Sequence, residues 1–126
     1  MRHCDSKLHV SGRSKYVDDI AEPLGMLHGA VFASPVAHGK IKSVNFDDAK
    51  LISGVIGVIN SDTIPGSKYI GALKADEPLF ASNEVLFEGQ PIALILATSP
   101  EIAELGVKAC KVVIEDLPVN TCPRVA

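Results

Sequence analysis

The sequence predicts a domain of the α+β class, and three consecutive features near its C-terminal end support this. Residues 92–98 form an apolar run without polar alternation, which is typical of a strand covered on both faces. Ser99 can cap a helix that begins at Pro100, because proline is favoured at the first helical position. Residues 111–115 favour another strand, and the spacing of strand, helix and strand predicts a crossover unit.

Two main helices are predicted. In the helix that follows Ser99, Ile102, Leu105 and Ala109 share one face, and Gly106 among them allows a close approach to a neighbour. A shorter helix is predicted in residues 47–53, because two acidic residues stand at its start, where the helix dipole favours them, and Gly54 follows as a stop.

The remaining strands are predicted from runs of β-branched and aromatic residues. They cover residues 27–34 and 39–46, which are joined through Pro35, and residues 55–60 and 84–87.

The connection after residue 60 contains few regular signals. Ser61 and Asp62 can cap a single helical turn before Pro65 and Gly66 end it. Residues 67–82 show neither helical nor strand periodicity, so we expect a long loop there. Long loops in small domains tend to be functional or to lie against a neighbour.

Length and composition indicate one domain with an excess of apolar residues. The chain has 126 residues, 47% of them hydrophobic and only 21% charged, with a mean hydropathy of +0.25. A domain of this size buries about two thirds of the surface that its unfolded chain exposes. We therefore expect residual apolar surface that packs against a larger partner, or that causes self-association when the domain is isolated.

Charge and hydropathy exclude two classes of partner. The net charge is −3 and the basic residues do not cluster, which argues against nucleic acid. The longest apolar run is far shorter than the roughly 20 residues that a membrane span needs, and no signal peptide is visible. We expect no membrane partner and a cytoplasmic location.

The three cysteines, Cys4, Cys110 and Cys122, form no C-x-x-C pair and are odd in number, so the sequence predicts reduced thiols. His28 and His38 stand ten residues apart without further ligands nearby. A zinc site needs three or four convergent ligands. His3, Cys4 and His9 are more suitable by residue type but lie in the N-terminal arm, so no metal site is predicted at either place.

No catalytic residues are predicted. Adjacent residues of a strand point to opposite faces, so neighbouring carboxylates are better explained as caps and turns than as acid/base pairs. These pairs are Asp18-Asp19, Asp47-Asp48 and Asp76-Glu77. Dinucleotide-binding, phosphate-binding and nucleophile-elbow motifs are not present in the sequence.

The Gly89-Gln90-Pro91 turn before the apolar run has two interpretations. In the structural one, glycine permits the turn, proline begins the strand, and the Gln90 amide satisfies orphaned backbone groups. In the functional one, Gln90 forms hydrogen bonds across a domain boundary.

Five pieces of the sequence, in order, resemble one family. They are VSGRSKYVDDI, LHGAVFASPVAHGKI, GVIGVINSDTIPG, DEPLFA and FEGQPIALILA. Each piece alone is weak, but together they are similar to the α/β hammerhead domain of the xanthine dehydrogenase and aldehyde oxidase family, the molybdenum hydroxylases. The resemblance implies an α/β hammerhead with a mixed sheet, preceded by an arm at residues 1–9, spanning residues 10–119 and followed by a tail at 120–126.

The resemblance also implies a role. In this family the hammerhead domain belongs to the N-terminal part of the molybdenum-binding subunit, so its partner here would be the molybdopterin-binding domain or subunit. Molybdopterin, iron-sulfur clusters and FAD are implied for the parent complex, which would hydroxylate purines, other N-heterocycles or aldehydes. None of these cofactors is expected in this chain, which we expect to be catalytically silent, since the cofactor-binding domain would begin near the tail.

Domain-interface residues are expected in two of the matching pieces, at Tyr16, Asp18 and Asp19 and at Gly89, Gln90 and Pro91. Glu88 departs from the small or apolar residue that is common in the family, and we expect its side chain to reach solvent or a cation.

Two alternatives to a docking domain follow from the sequence. A carrier module needs a lysine at a hairpin tip, usually beside methionine, and neither Met1 nor Met26 adjoins a lysine. The other alternative is a free-standing binding module for a small molecule or protein that uses the loop at residues 67–82.

Overall fold

The computed structural model describes residues 5–120, 122 and 124. The helices are α1 (Ser6–Val10), α2 (Asp47–Lys50) and α3 (Pro100–Ala109), with a 3₁₀ turn at Val17–Asp19. The strands are β1 (His28–Ala33), β2 (Gly39–Asn45), β3 (Val55–Asn60), β4 (Tyr69–Ile70), β5 (Glu77–Pro78), β6 (Glu84–Val85), β7 (Pro91–Ala97) and β8 (Lys111–Asp116). The predicted strands and both predicted helices are present, although the strand expected at residues 84–87 is only two residues long.

One sheet has the order β1-β7-β3, with β7 in the centre and antiparallel to both neighbours. Ile92 and Ala93 lie next to each other on β7, so they point to opposite faces, and both are buried, with 2% and 0% exposure. The prediction that the apolar run is a central strand covered on both faces is confirmed.

The second sheet has the order β6-β2-β8, and every strand pairing among the described residues is antiparallel. The α+β class is confirmed, with antiparallel sheets in place of a mixed sheet. The predicted crossover unit is wrong, because β7 and β8 belong to different sheets and α3 connects one sheet to the other. Spacing indicates the length of a connection but not which strand its end will pair with.

Helix α3 begins as predicted. The Ser99 hydroxyl accepts a hydrogen bond from the Ile102 N–H at 3.3 Å, and Pro100 is the first helical residue. Its buried residues are Ala103 and Gly106, whereas Leu105 is 52% exposed, so the predicted face was wrong at Leu105. A Cβ atom on Gly106 would lie 2.7 Å from Ile95 Cγ2, and the predicted close approach at this glycine is therefore confirmed.

The core lies between the first sheet, α3, α2 and the inner face of the second sheet. Its fully buried members include Val85, Ile95 and Ala49, the last contributed by α2. Phe32 and Phe46 meet edge to face with ring centres 6.4 Å apart, the arrangement that the aromatic quadrupole favours.

The connection after β3 differs from the prediction. Asn60, rather than Ser61 or Asp62, holds a simple turn, because its Oδ1 accepts hydrogen bonds from the backbone N–H groups of Asp62 and Thr63. Residues 67–82 are not a structureless loop, since β4 and β5 pair there as a short antiparallel ribbon. Two-residue strands give too little periodicity to be seen in a sequence.

The segment at residues 5–27 contains α1 and the 3₁₀ turn, and none of its residues is buried. Helix α1 crosses the predicted boundary at residue 10, and the boundaries at residues 10 and 119 remain predictions. His3 and Cys4 lie outside the described residues.

Candidate docking surface at the Gln90 turn

The turn before β7 is held by main-chain hydrogen bonds to the end of β1. Gly89 has a φ of +84°, a conformation that glycine adopts without strain. Its N–H donates to the Ser34 carbonyl at 2.9 Å, and the Ser34 N–H donates to the Gln90 carbonyl at 2.9 Å. The Ala81 N–H also donates to the Pro91 carbonyl at 2.8 Å, which fastens the neighbouring loop to the start of β7.

The Gln90 side chain is 2% exposed, and its Oε1 atom accepts a hydrogen bond from the Leu86 N–H at 2.7 Å. This is the structural role that the sequence suggested for the amide. Among the described residues, however, no acceptor is bonded to the Gln90 Nε2 group. A side-chain amide carries two N–H donors, so this group retains donor capacity for a partner.

A cavity of about 370 Å³ lies beside the turn. It is bounded on one side by the ribbon residues Ile70, Pro78 and Leu79 and on the other by Leu86, Phe87 and Gln90. Leu86 is 60% exposed and Phe87 is 51% exposed. We call Ile70, Leu79, Leu86 and Phe87 the turn surface. Its exposure agrees with the expectation of apolar surface near the Gln90 turn and residues 67–82.

The other predicted interface residues lie elsewhere. Tyr16 is exposed, its N–H donates to Asp19 Oδ2 at 3.0 Å, and its hydroxyl lies 3.3 Å from His9 Nδ1. Asp18 lines a different cavity, of about 380 Å³, together with Val17 and Ile20. No hydrogen bond in the described part of the chain joins this group to the Gln90 turn, so the interface role of both groups remains a prediction.

His38 has a position that sequence analysis did not detect. Its Nε2 lies 2.9 Å from Glu84 Oε1 and its Nδ1 lies 2.9 Å from the Pro118 carbonyl oxygen. Hydrogen bonds to the Pro118 carbonyl and to Glu84 raise the pKa of His38 above its ordinary value. These partners are 80 and 46 residues away in the sequence, so no local pattern could have indicated them.

The other candidate ligands and carboxylates are separate. His28 Nε2 lies 3.9 Å from Glu22 Oε2, and Asp48 pairs with Lys111 at 2.6 Å, which raises the pKa of Lys111. Cys110 is buried, and desolvation raises the pKa of its thiol; it and the exposed Cys122 are free.

Within residues 5–120, 122 and 124, no group of three or more His, Cys, Asp or Glu side chains could hold a metal ion. Iron-sulfur clusters are held by several cysteine thiolates, so the described residues do not fit such a cluster. Glu88 is exposed, as expected, and lines a cavity beside His38.

The fold and its exposed turn surface therefore define a small α+β domain with a candidate docking face. The family model described as "Aldehyde oxidase and xanthine dehydrogenase, a/b hammerhead domain" matches residues 11–118. The chain belongs to this family, and its fold is the α/β hammerhead, as the sequence resemblance implied.

Individual relatives agree with this assignment. The chain is 40% identical to nicotinate hydroxylase hnxS of Emericella nidulans over 117 residues, which are 92% of this chain and 9% of that protein. It is 38% identical to xanthine dehydrogenase of the same organism, covering 93% of this chain and 9% of the relative. The CO dehydrogenase structure from Oligotropha carboxidovorans superposes with a TM-score of 0.84 and 30% identity, covering 98% of this chain and 16% of that chain.

The chain thus spans about a tenth of the length of the curated relatives that it matches. The relatives are parts of multi-domain or multi-subunit enzymes, and this supports a partner from the same enzyme. None of the helices in the described ranges is both long and apolar enough to cross a membrane.

Proposed function

We propose that the chain is a non-catalytic scaffold and docking domain of a xanthine dehydrogenase-like molybdenum hydroxylase. Its partner is the molybdopterin-binding domain or subunit of that enzyme. The assembled enzyme hydroxylates a purine, another N-heterocycle or an aldehyde, and contains iron-sulfur clusters and FAD in other parts. The site of action is the cytoplasm, where the thiols of Cys110 and Cys122 stay reduced.

The exposed turn surface is the observation that carries this proposal. Leu86 and Phe87 are more than half exposed although they adjoin the best-ordered part of the fold, the hydrogen-bonded entry to β7. Contiguous apolar residues at a surface are unfavourable in water, and burial of such a patch is worth about 25 cal/mol per Å². A partner that covers the turn surface also supplies acceptors for the Gln90 amide.

Capture from the native lysate tests the proposal. The tagged 126-residue chain is used as bait, and the captured material is assayed for molybdenum, iron and oxidation of purine and aldehyde substrates. Leu86→Ser is compared with Leu105→Ser, because both leucines are about half exposed or more and only Leu86 belongs to the turn surface.

A molybdenum-containing partner with hydroxylase activity, captured by the unmodified chain and by Leu105→Ser but lost with Leu86→Ser, is the expected result. Equal capture by both variants would place the contact away from the turn surface. Capture of no molybdenum-containing partner by any of the three chains would contradict the docking function.

A free-standing binding module is the second candidate, because the 370 Å³ cavity is lined by residues of the 67–82 segment. A ligand that binds only the folded state raises the unfolding midpoint by mass action. A thermal-shift screen of purines, N-heterocycles and aldehydes against the isolated chain would support this candidate if a compound raised the midpoint in the unmodified chain but not in Leu86→Ser.

A further inference from the structure

His38 joins three parts of the chain that are distant in sequence. It precedes β2, its Nε2 is bonded to Glu84 of β6, and its Nδ1 is bonded to the carbonyl of Pro118, which follows β8. In addition, the Leu117 N–H donates to the His38 carbonyl at 3.0 Å. The imidazole thus lies at the point where residues 117–120 leave the second sheet.

The two partners of the imidazole determine its protonation state. A backbone carbonyl is an acceptor only, and an ionised carboxylate is also an acceptor only. Each ring nitrogen must therefore carry a proton to make both bonds. Only the imidazolium form has two N–H donors, whereas neutral histidine has one.

The electrostatic surroundings agree with this form. The hydrogen bond to the Pro118 carbonyl raises the pKa of His38, and the hydrogen bond and charge of Glu84 raise it further, against a smaller effect of desolvation. The other charged groups nearby are Glu88, which lines the same cavity, and Lys40 and Asp116, whose strands pair beside His38.

The imidazole also holds together an apolar surface. A cavity of about 320 Å³ is lined by His38 and Ala37, by Leu86 and Phe87, and by Pro118 and Val119. Val119 is 54% exposed and Phe87 is 51% exposed. These residues come from three separate segments, so the shape of the surface depends on whether residues 117–120 stay in place.

We propose that the His38 imidazolium is a pH-sensitive tether, which holds residues 117–120 against β6 and the Gln90 turn and releases them when it loses its proton. The tether is a property of this chain and does not depend on the proposed docking function. Because folding raises the pKa, the contribution is fully present below the ordinary value of 6.5 and is lost as the pH rises through the folded value.

Amide hydrogen exchange in the full 126-residue chain measures the tether directly. The Leu117 N–H is the reporter, and the amide of Ile95, in the centre of β7, is the internal reference. Exchange is followed from pH 5.5 to 9 and corrected for its intrinsic pH dependence. We expect Leu117 protection to fall above pH 6.5, by about tenfold for each unit by which folding raises the His38 pKa, while Ile95 protection is unchanged.

Three variants make the test specific. His38→Gln removes the imidazolium and is expected to abolish the pH-dependent part of Leu117 protection. Glu84→Gln removes one charge and keeps the side-chain size, so it is expected to lower the His38 pKa measured by NMR and to move the loss of protection to lower pH. His28→Gln is the matched control and is expected to behave as the unmodified chain.

Two results would overturn the tether. One is Leu117 protection that does not change with pH in the unmodified chain. The other is the same pH dependence in His38→Gln as in the unmodified chain. If His38→Gln does not fold, the Glu84→Gln titration decides, and an unchanged midpoint of Leu117 protection there would contradict the proposal.

Discussion

Strand β7 and the segment at residues 5–27 both contain large apolar residues, but their surroundings are opposite. Ile95 of β7 is 0% exposed, with a paired strand on each side and α3 above it. Ile20 in the segment is 62% exposed, and the segment has no buried residue. Apolar character therefore does not predict burial by itself, because burial requires other elements that supply a covering surface.

The largest expected difference between the two regions is in packing. Ile95→Ala removes fully buried methyl groups and is expected to lower the free energy of unfolding by about 2–5 kcal/mol. Ile20→Ala removes the same atoms from an exposed site and is expected to change it by less than about 0.5 kcal/mol. Urea unfolding of both variants measures the difference. Equal losses would mean that residues 5–27 are packed against the domain in solution.

A smaller difference is expected for two side-chain oxygens that bond backbone N–H groups. Gln90 Oε1 accepts from Leu86 in a buried position, and Asp19 Oδ2 accepts from Tyr16 in an exposed one. Gln90→Met leaves a buried donor unpaired, which costs about 1–3 kcal/mol. Asp19→Ala leaves a donor that water can reach.

Denaturation midpoints are expected to fall clearly for Gln90→Met and little for Asp19→Ala. A loss at Asp19 as large as that at Gln90 would indicate that the 3₁₀ turn is shielded from water, and would remove the contrast between the two regions.

The smallest expected effect concerns an exposed ion pair on the second sheet. Lys42 lies beside Glu115, and its hydrogen bond and charge lower the pKa of that carboxyl below 4.5. A lowered carboxyl pKa stabilises the fold above the unfolded value, and this contribution is lost as the pH falls through the folded value. In Lys42→Met, NMR titration is expected to return the Glu115 pKa toward 4.5. An unchanged pKa would show that the pair does not form in solution.

Much of the fold could be predicted from local signals. Ser99 and Pro100 mark the start of α3, and the unbroken apolar run marks β7 as a central strand, because both signals depend on residues only a few positions apart. The predicted crossover unit failed because the partner of β8 is β2, about 70 residues earlier in the chain. Leu105 was misplaced because helical periodicity identifies residues on one side of a helix but not the width of the covered face.

The candidate site was predictable in part. The Gln90 turn was found, since Gly-Gln-Pro before an apolar run is a local pattern. The ribbon that forms the other wall of its cavity was missed, because Tyr69–Ile70 and Glu77–Pro78 are too short for a periodic signal. The separation of Tyr16, Asp18 and Asp19 from the turn depends on how the segment at residues 5–27 lies.

The sequence by itself determined the α+β class, the family, the central strand and the capped helix, because each follows from neighbouring residues or from their order along the chain. Only the tertiary structure decided which sheet received β8, where the turn surface is exposed, and that the His38 ring meets Glu84 and Pro118. These features depend on contacts between residues tens of positions apart, and such contacts are selected by the packing of the whole domain.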